Sequence, residues 1–196
     1  MKYKWISLLF AAVLLAGCQT PAEPSRDTSS VLSAESTFES VSEGAPSREQ
    51  TSSEILLPPD PVSLPGGVTF VFPDGWQSAE GEGELNAVSP HGTLSVSAVF
   101  TSDSGAITLT PHLLEANVLP GLVKAWEAYG MTDVLGEMGV CLLAQAECPT
   151  VFLQGTYDGI PVFQKQLYLF LPDGYLTVTL TSNGEDQTEY LLTLFR

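Results

Sequence analysis

Three or four β-prone runs follow one another between Val134 and Thr181, separated by short connections. They are Val134 to Leu143, Thr150 to Tyr157, Val162 to Leu171 and Tyr175 to Thr181. Asp158-Gly159 and Pro172-Asp173-Gly174 are turn sequences of the kind that close hairpins. Connections this short join antiparallel neighbours, because a parallel crossover needs a dozen or more residues. In the last run Leu176, Val178 and Leu180 alternate with threonines, which gives the strand one apolar face. An antiparallel sheet with an apolar face needs a covering layer. The expected architecture is therefore α+β, an antiparallel β-sheet covered by two helices.

The runs upstream extend the sheet. Val68 to Phe72 is β-rich and stops at Pro73-Asp74-Gly75, with Trp76 behind it as a core candidate. Leu85 to Ser89 is a short strand ended by Pro90-His91-Gly92. In Leu94 to Phe100 the residues Leu94, Val96, Ala98 and Phe100 share one face, while Ser95 and Ser97 point away. The first helix opens at Thr110, an N-cap, with Pro111 where a missing N–H costs nothing. Leu114, Val118, Leu122, Ala125, Trp126 and Tyr129 form its apolar stripe, and Gly130 ends it. Pro120 deprives the Ala116 carbonyl of its donor, so a kink or two successive short helices is expected there. The second helix is expected from Asn183 or Gly184 through Phe195, with Gln187, Leu191 and Leu194 on one face.

The N-terminus has another character. Lys2 and Lys4 precede a continuous apolar run from Trp5 to Ala16, broken only by Ser7, and Leu15-Ala16-Gly17-Cys18 closes it. A charged start, a short apolar stretch and small residues at the cut make a secretory signal peptide. The run is shorter than the roughly 20 residues that cross a bilayer. Leu15 to Cys18 resembles the lipobox of bacterial lipoproteins, which implies a diacylglycerol thioether on Cys18 and cleavage just before it. Anchorage by acyl chains rests on about 0.8 kcal/mol per buried methylene. Residues 1–17 are then the signal peptide, 18–61 the lipidated cysteine with its linker, and 62–196 the domain.

The linker has the composition of a tether. Of the 36 residues from Gln19 to Glu54, 10 are Ser, 4 Thr, 3 Pro and 7 acidic. Too little apolar surface is present to offset the entropy of ordering them. A coil of that length spans roughly 30–36 Å. Ile55-Leu56-Leu57 then either docks on the domain or stays exposed as a recognition element.

Two motifs at the ends of the domain and one hairpin carry a second resemblance. They are Phe70-Val71-Phe72-Pro73-Asp74-Gly75-Trp76, the run Gln166-Leu167-Tyr168 through Pro172-Asp173-Gly174-Tyr175 into Thr177-Val178-Thr179, and Leu191 to Phe195. In order and spacing they resemble the PsbP/Mog-type α/β fold, shared by PsbP, the Mog proteins and the DcrB-like lipoproteins, over residues 64–196. Leu194 departs from the serine often found before the last phenylalanine of such domains. The resemblance implies an antiparallel-sheet sandwich, no shared catalytic residues, no cofactor, and an accessory or protein-binding role.

Charge narrows the partners. The chain carries 7 basic and 23 acidic residues, a net charge of −16. Removal of Lys2 and Lys4 with the leader makes it −18. From Asp60 onward only Lys124, Lys165 and Arg196 stand against 16 acidic residues, which is −13. Nucleic acid, which requires clustered Lys and Arg, is excluded as a partner. The partners expected are the membrane, through the lipid on Cys18, and an envelope protein with a basic or neutral surface.

Chemistry is sparse. There is no Gly-x-Ser-x-Gly, His-Glu-x-x-His, phosphate-loop or EF-hand pattern. His91 and His112 each stand next to a proline, either as surface residues or as a base completed in space by a serine and a carboxylate. No catalytic residue is assigned. Glu80, Glu82 and Glu84 alternate with glycines, so an extended backbone would aim all three carboxylates one way, toward Ca²⁺ or simply into solvent. No metal site is assigned to them. Cys141 and Cys148 would face each other across a hairpin turning at Ala144-Gln145, either bridged as a disulfide or as two thiols. Trp126 and Tyr129 are a core pair or a sugar-stacking platform. The function expected is a non-enzymatic, membrane-anchored, extracytoplasmic lipoprotein that binds a protein partner. Its alternatives are capture of a small or apolar ligand between sheet and helix, and a cryptic envelope hydrolase.

Overall fold

The structure, a computed structural model, describes residues 59–79, 83–102 and 110–196. Cys18, the tether, Ile55-Leu56-Leu57, Glu80 and Glu82 lie outside the described residues. Most of the domain is one antiparallel sheet of seven strands. The strands are β3 (Gln77–Ser78), β4 (Leu85–Val88), β5 (Leu94–Ser102), β6 (Thr132–Leu143), β7 (Ala146–Tyr157), β8 (Ile160–Leu171) and β9 (Gly174–Asn183). Their order across the sheet is β3-β4-β5-β9-β8-β7-β6. A separate two-stranded ribbon joins β1 (Val62–Ser63) to β2 (Thr69–Phe70).

The four consecutive runs form the meander β6-β7-β8-β9, as their turn chemistry requires. Asp158 and Gly159 both take positive φ, 52° and 79°, the geometry of a two-residue turn whose twist matches the strands it joins. Along β9, Leu176, Val178 and Leu180 are fully buried on one face and the threonines point to the other. The same alternation in β5 buries Leu94, Val96 and Ala98 beside them. Residues Val162 to Leu169 of the central strand β8 are almost all buried, because both faces of the sheet are covered there.

One face is covered by a single long helical segment. Thr110 caps it: the Leu113 N–H donates to Thr110 Oγ1 at 3.2 Å, and Pro111 stands at the first position. The segment runs as α1 (Pro111–Leu113), a π-helical turn (Leu114–Val118) and α2 (Leu119–Ala128). The interruption expected at Pro120 takes the form of that wide turn. The Leu119 N–H reaches back five residues to the Leu114 carbonyl, which widens the spiral just ahead of the proline ring. Gly130, at φ 88°, ends the helix. The Met131 N–H bonds the Trp126 carbonyl and the Gly130 N–H bonds that of Glu127, and Met131 packs in the same cluster as Trp126. Leu114, Leu122, Trp126, Val151 and Leu153 are the centre of this core. The Trp126 ring lies on Gly155, where a Cβ would come within 3.4 Å of it.

The other face is covered differently from the expected second helix. α3 is one turn, Thr188–Leu192, rather than a helix from residue 183 or 184 to Phe195. Ser182 and Asn183 continue β9, and Asp186 Oδ1 accepts from both the N–H and the hydroxyl of Thr188, which fixes the later start. After α3 the Thr193, Leu194 and Phe195 N–H groups still bond carbonyls three residues back, and the chain then bridges to the ribbon: Thr69 and Arg196 exchange backbone hydrogen bonds at 2.8 and 2.9 Å, and Val71 N donates to the Leu194 carbonyl at 2.9 Å. Phe195 thereby lands beside Phe70, with ring centroids 5.2 Å apart, and Phe72 and Trp76 complete an aromatic cluster. The fold class is α+β, mostly antiparallel sheet with one long helical segment and minor elements.

Candidate functional site

The β6-β7 hairpin brings the largest number of unusual features together. Its turn is Ala144-Gln145, both at positive φ, 46° and 74°, with Leu143 and Ala146 paired on either side. This is the two-residue turn read from the sequence, built from residues with a Cβ rather than from Asn and Gly. Left-handed backbone costs such residues roughly 1–2 kcal/mol each. Cys141 and Cys148 are directly opposed in the ladder. Leu143 and Ala146 are the first hydrogen-bonded pair of the hairpin, so Cys141 and Cys148, two residues on, are another. The Cα atoms of such a pair stand about 5.5 Å apart, inside the range a disulfide accepts. Both sulfurs are free thiols, Cys141 half-buried and Cys148 buried. Burial pushes the Cys148 thiol pKa up, and the neighbouring Cys141 adds to the shift, against a lowering backbone hydrogen bond from Leu143.

β6 is the last strand of the sheet, and no described strand pairs with its outer side. The ladder to β7 shifts between Thr132 and Leu135, where Asp133 takes φ 53°, and is regular from Leu135 to Leu143. Three large apolar side chains on this strand face water: Leu135 at 61% exposure, Val140 at 67% and Leu142 at 62%. Leu135 lies on the face of Cys141 and Thr150, whereas Val140 and Leu142 lie on the helix side beyond the reach of α2. Phe170 of β8, exposed at 39%, is on that helix side too. Asp133, Glu137 and Glu147 are exposed around the same strand.

Two further arrangements lie inside the sheet. Gln164, Gln166 and Tyr168 occupy alternate positions of β8 and form a buried chain on the helix side. Tyr168 Oη donates to Gln166 Oε1 at 2.8 Å, Gln166 Nε2 to Gln164 Oε1 at 3.0 Å, and Gln164 Nε2 to Thr181 Oγ1 at 3.4 Å. Each group satisfies the next, as buried polar atoms must. Burial, with a smaller contribution from Tyr175, raises the Tyr168 hydroxyl pKa well above its ordinary value. On the opposite face Lys165, 7% exposed, pairs with Glu189 of α3 and lies 5.8 Å from the Phe152 ring centroid. That contact ties α3 to the middle of the sheet.

The other sequence candidates are dispersed. His91 is exposed in the β4-β5 turn and His112 is exposed in α1. Trp76 and Trp126 are core residues, but Tyr129 is exposed at the helix end, so the two aromatic rings of that stripe do not share an environment. Glu84 Oε2 accepts from the Phe100 N–H at 2.8 Å, which continues the β4-β5 ladder beyond Leu85. Among the described residues no group of three or more His, Cys, Asp or Glu is placed to hold a metal. No helix of the described residues is long and apolar enough to cross a membrane.

Sequence reasoning missed the buried amide chain and the bare edge. The first had a signal, since polar residues at 164, 166 and 168 recur at strand spacing inside an apolar run. The second had none, because which strand lies at the edge follows from topology. No family model matches the chain, and no curated protein matches it. Among solved structures it is similar to LpqN, involved in cell envelope biogenesis of Mycobacterium tuberculosis. The identity is 18% and the TM-score 0.43, and the match covers 69% of this chain and 83% of that one.

Proposed function

We propose that this chain is a non-enzymatic lipoprotein, held on the outer side of a bacterial membrane by acyl chains on Cys18, whose domain binds a protein partner in the envelope. The observation that carries the binding half is the bare, apolar β6 edge with its acidic surround. Exposed apolar strands of this length are ordinarily blunted by lysine, proline or a covering element, since they pair with other chains. The anchoring half is supported by Lys2, Lys4, the apolar run and Leu15-Ala16-Gly17-Cys18. The PsbP/Mog-type assignment belongs to the same proposal. Its support is that the first and last of its motifs meet in the packing of Phe70 against Phe195.

Ligand capture between sheet and helix finds no comparable support. Leu114, Leu122, Trp126, Val151, Leu153 and Tyr168 fill that interface, each at most 4% exposed. The test is metabolic labelling with an alkyne-tagged fatty acid, followed by cross-linking in intact cells. Label on the wild type, none on Cys18→Ala, and a discrete cross-linked protein are expected. An unmodified Cys18 thiol in the native product, or recovery of the wild type in cytosol, would refute the reading.

A further inference from the structure

We propose that the outer edge of β6 takes up an extended, basic segment of the partner as an eighth strand of the sheet. The inference rests on the protein-binding reading above and assigns it a site and a chemistry. Three properties of the strand support it.

The first is backbone geometry. The Ala144-Gln145 turn makes Leu143 and Ala146 a hydrogen-bonded pair, and the regular ladder repeats that pairing at Cys141, Gly139, Glu137 and Leu135. The N–H and C=O groups of Gly136, Met138, Val140 and Leu142 therefore point outward. This row has no partner among the described strands. An incoming strand gains affinity from such a row through main-chain hydrogen bonds, whatever its side chains.

The second is apolar surface on both sides of that row. Leu135 flanks it on one face, Val140 and Leu142 on the other, all more than 60% exposed. A strand laid along the edge would cover them with its own alternating side chains, one set to each face.

The third is charge, which selects the occupant. Asp133 and Glu137 on β6 and Glu147 on β7 surround the edge. Of the three basic residues in the domain, Lys165 is buried against Glu189, Lys124 is exposed on α2, and Arg196 is tied to Thr69 in the ribbon. A second copy would bring another charge of −13 to the same edge and the same acidic residues, which opposes pairing. A lysine- or arginine-bearing segment meets complementary charge instead.

The experiment uses the full chain, purified from membranes in mild detergent. The probe is a fluorescein-labelled twelve-residue peptide alternating valine and lysine, N-methylated at every other residue so that only one of its edges can pair. Binding is read by fluorescence polarisation, and the site by amide hydrogen exchange. Val140→Pro removes one outward N–H and leaves the β7 ladder intact, as edge positions allow. Leu142→Lys adds a repelling charge at an exposed position and keeps the test valid if the proline variant fails to fold.

The expected results are saturable binding, at least tenfold weaker in either variant that retains the wild-type Tm. The affinity falls with rising salt, and the amides of Gly136, Met138, Val140 and Leu142 become protected. A glutamate-for-lysine peptide binds at least tenfold more weakly. Equal binding of both peptides, no binding, or protection elsewhere overturns the proposal. Concentration-dependent dimerisation lost in Leu142→Lys overturns it in favour of a second copy. An envelope protein cross-linked equally by wild type and Leu142→Lys would also overturn the β6 site while sparing the protein-binding reading.

Discussion

Gly136 and Gly139 stand three residues apart on β6, and replacing each by alanine should move stability in opposite directions. A Cβ at Gly136 would lie 2.6 Å from Leu119 Cδ1, 2.9 Å from Leu153 Cδ2 and 3.2 Å from Val123 Cγ2. Optimal carbon–carbon contacts are about 3.5–4.0 Å, so all three are overlaps. Leu119 and Val123 belong to α2, and Leu153 is fully buried in β7, so these side-chain methyls would have to give way within the helix–sheet interface. Overpacking of this kind costs about 1–3 kcal/mol. Loss of the glycine's unfolded-state freedom returns about 0.5–1 kcal/mol. The net destabilisation is about 0.5–2 kcal/mol, or a Tm lower by roughly 2–8 °C for a domain of this size. Gly139 has no neighbour within 4 Å of a built Cβ. Only the entropic gain applies there, which raises Tm by roughly 2–4 °C.

Thermal unfolding followed by circular dichroism measures both. A third variant sharpens the reasoning. If the new methyl strikes Leu119, then shortening that side chain removes the collision. Gly136→Ala combined with Leu119→Ala should then lose about 1 kcal/mol less than the sum of the single variants. Were Gly136→Ala as stable as Gly139→Ala, with no coupling to position 119, α2 would not press on β6 and the packing argument would fail.

Three further outcomes follow from other contacts. Oxidation of the thiols with a small-molecule disulfide should bridge Cys141 to Cys148 and close an eight-residue loop, worth about 2.5 kcal/mol in the chain-entropy model. Non-reducing peptide mapping and a Tm rise absent in Cys141→Ser would check it. Tyr168 ionises near pH 10 when unfolded but later in the native state, so above pH 10 the native chain holds one more proton and stability falls as pH rises. Tyr168→Phe should make urea-derived stability decline about 1.4 kcal/mol per pH unit less steeply over that range, while losing about 1 kcal/mol at neutral pH with the Gln166 hydrogen bond. Glu189→Gln strands the buried Lys165 charge and should cost about 1–2 kcal/mol, less than a fully buried pair because Glu189 is in water. Lys165→Met removes the charge as well and should cost less than Glu189→Gln in the same urea titration.

The meander was legible because its information is local. Turn residues and period-two alternation are written within ten or so residues, and β7, β8 and β9 appear where those signals stand. The helix was legible for the same reason: Thr110, Pro111 and Gly130 act within one turn, and Pro120 announced the break that became a π-helical turn. The C-terminus misled because its apolar residues satisfy two patterns. Leu191 and Leu194 fit helical spacing, but Thr69 and Val71 offered Leu194 and Arg196 a strand partner more than a hundred residues away. A periodicity argument contains no term for a distant partner. The pairing won because it also seats Phe195 against Phe70 and buries both rings.

The bare edge of β6, the site of the proposed strand addition, is a product of topology. Leu135, Val140 and Leu142 occur in the sequence as ordinary members of a β-prone run, and an interior strand would have hidden them. What exposes them is the direction in which the meander grows. Each hairpin adds a strand on one side, so the earliest of the four, β6, is left outermost, and β9 is left to pair with β5. The other outer strand, β3, has two residues and little backbone to offer. The helix-side cover of β6 runs from Gly136, which admits Leu119 and Val123, to Met138, which is half-buried against the same core. Val140 and Leu142 lie past that limit. A valine or leucine at 136 would push α2 away and open the core, whereas a lysine at 140 or 142 would leave the core intact and close the edge. The residues that hold the domain together and those that leave it open are thus separate along a single strand. Substitutions at 140 and 142 can therefore alter the proposed edge without loss of fold.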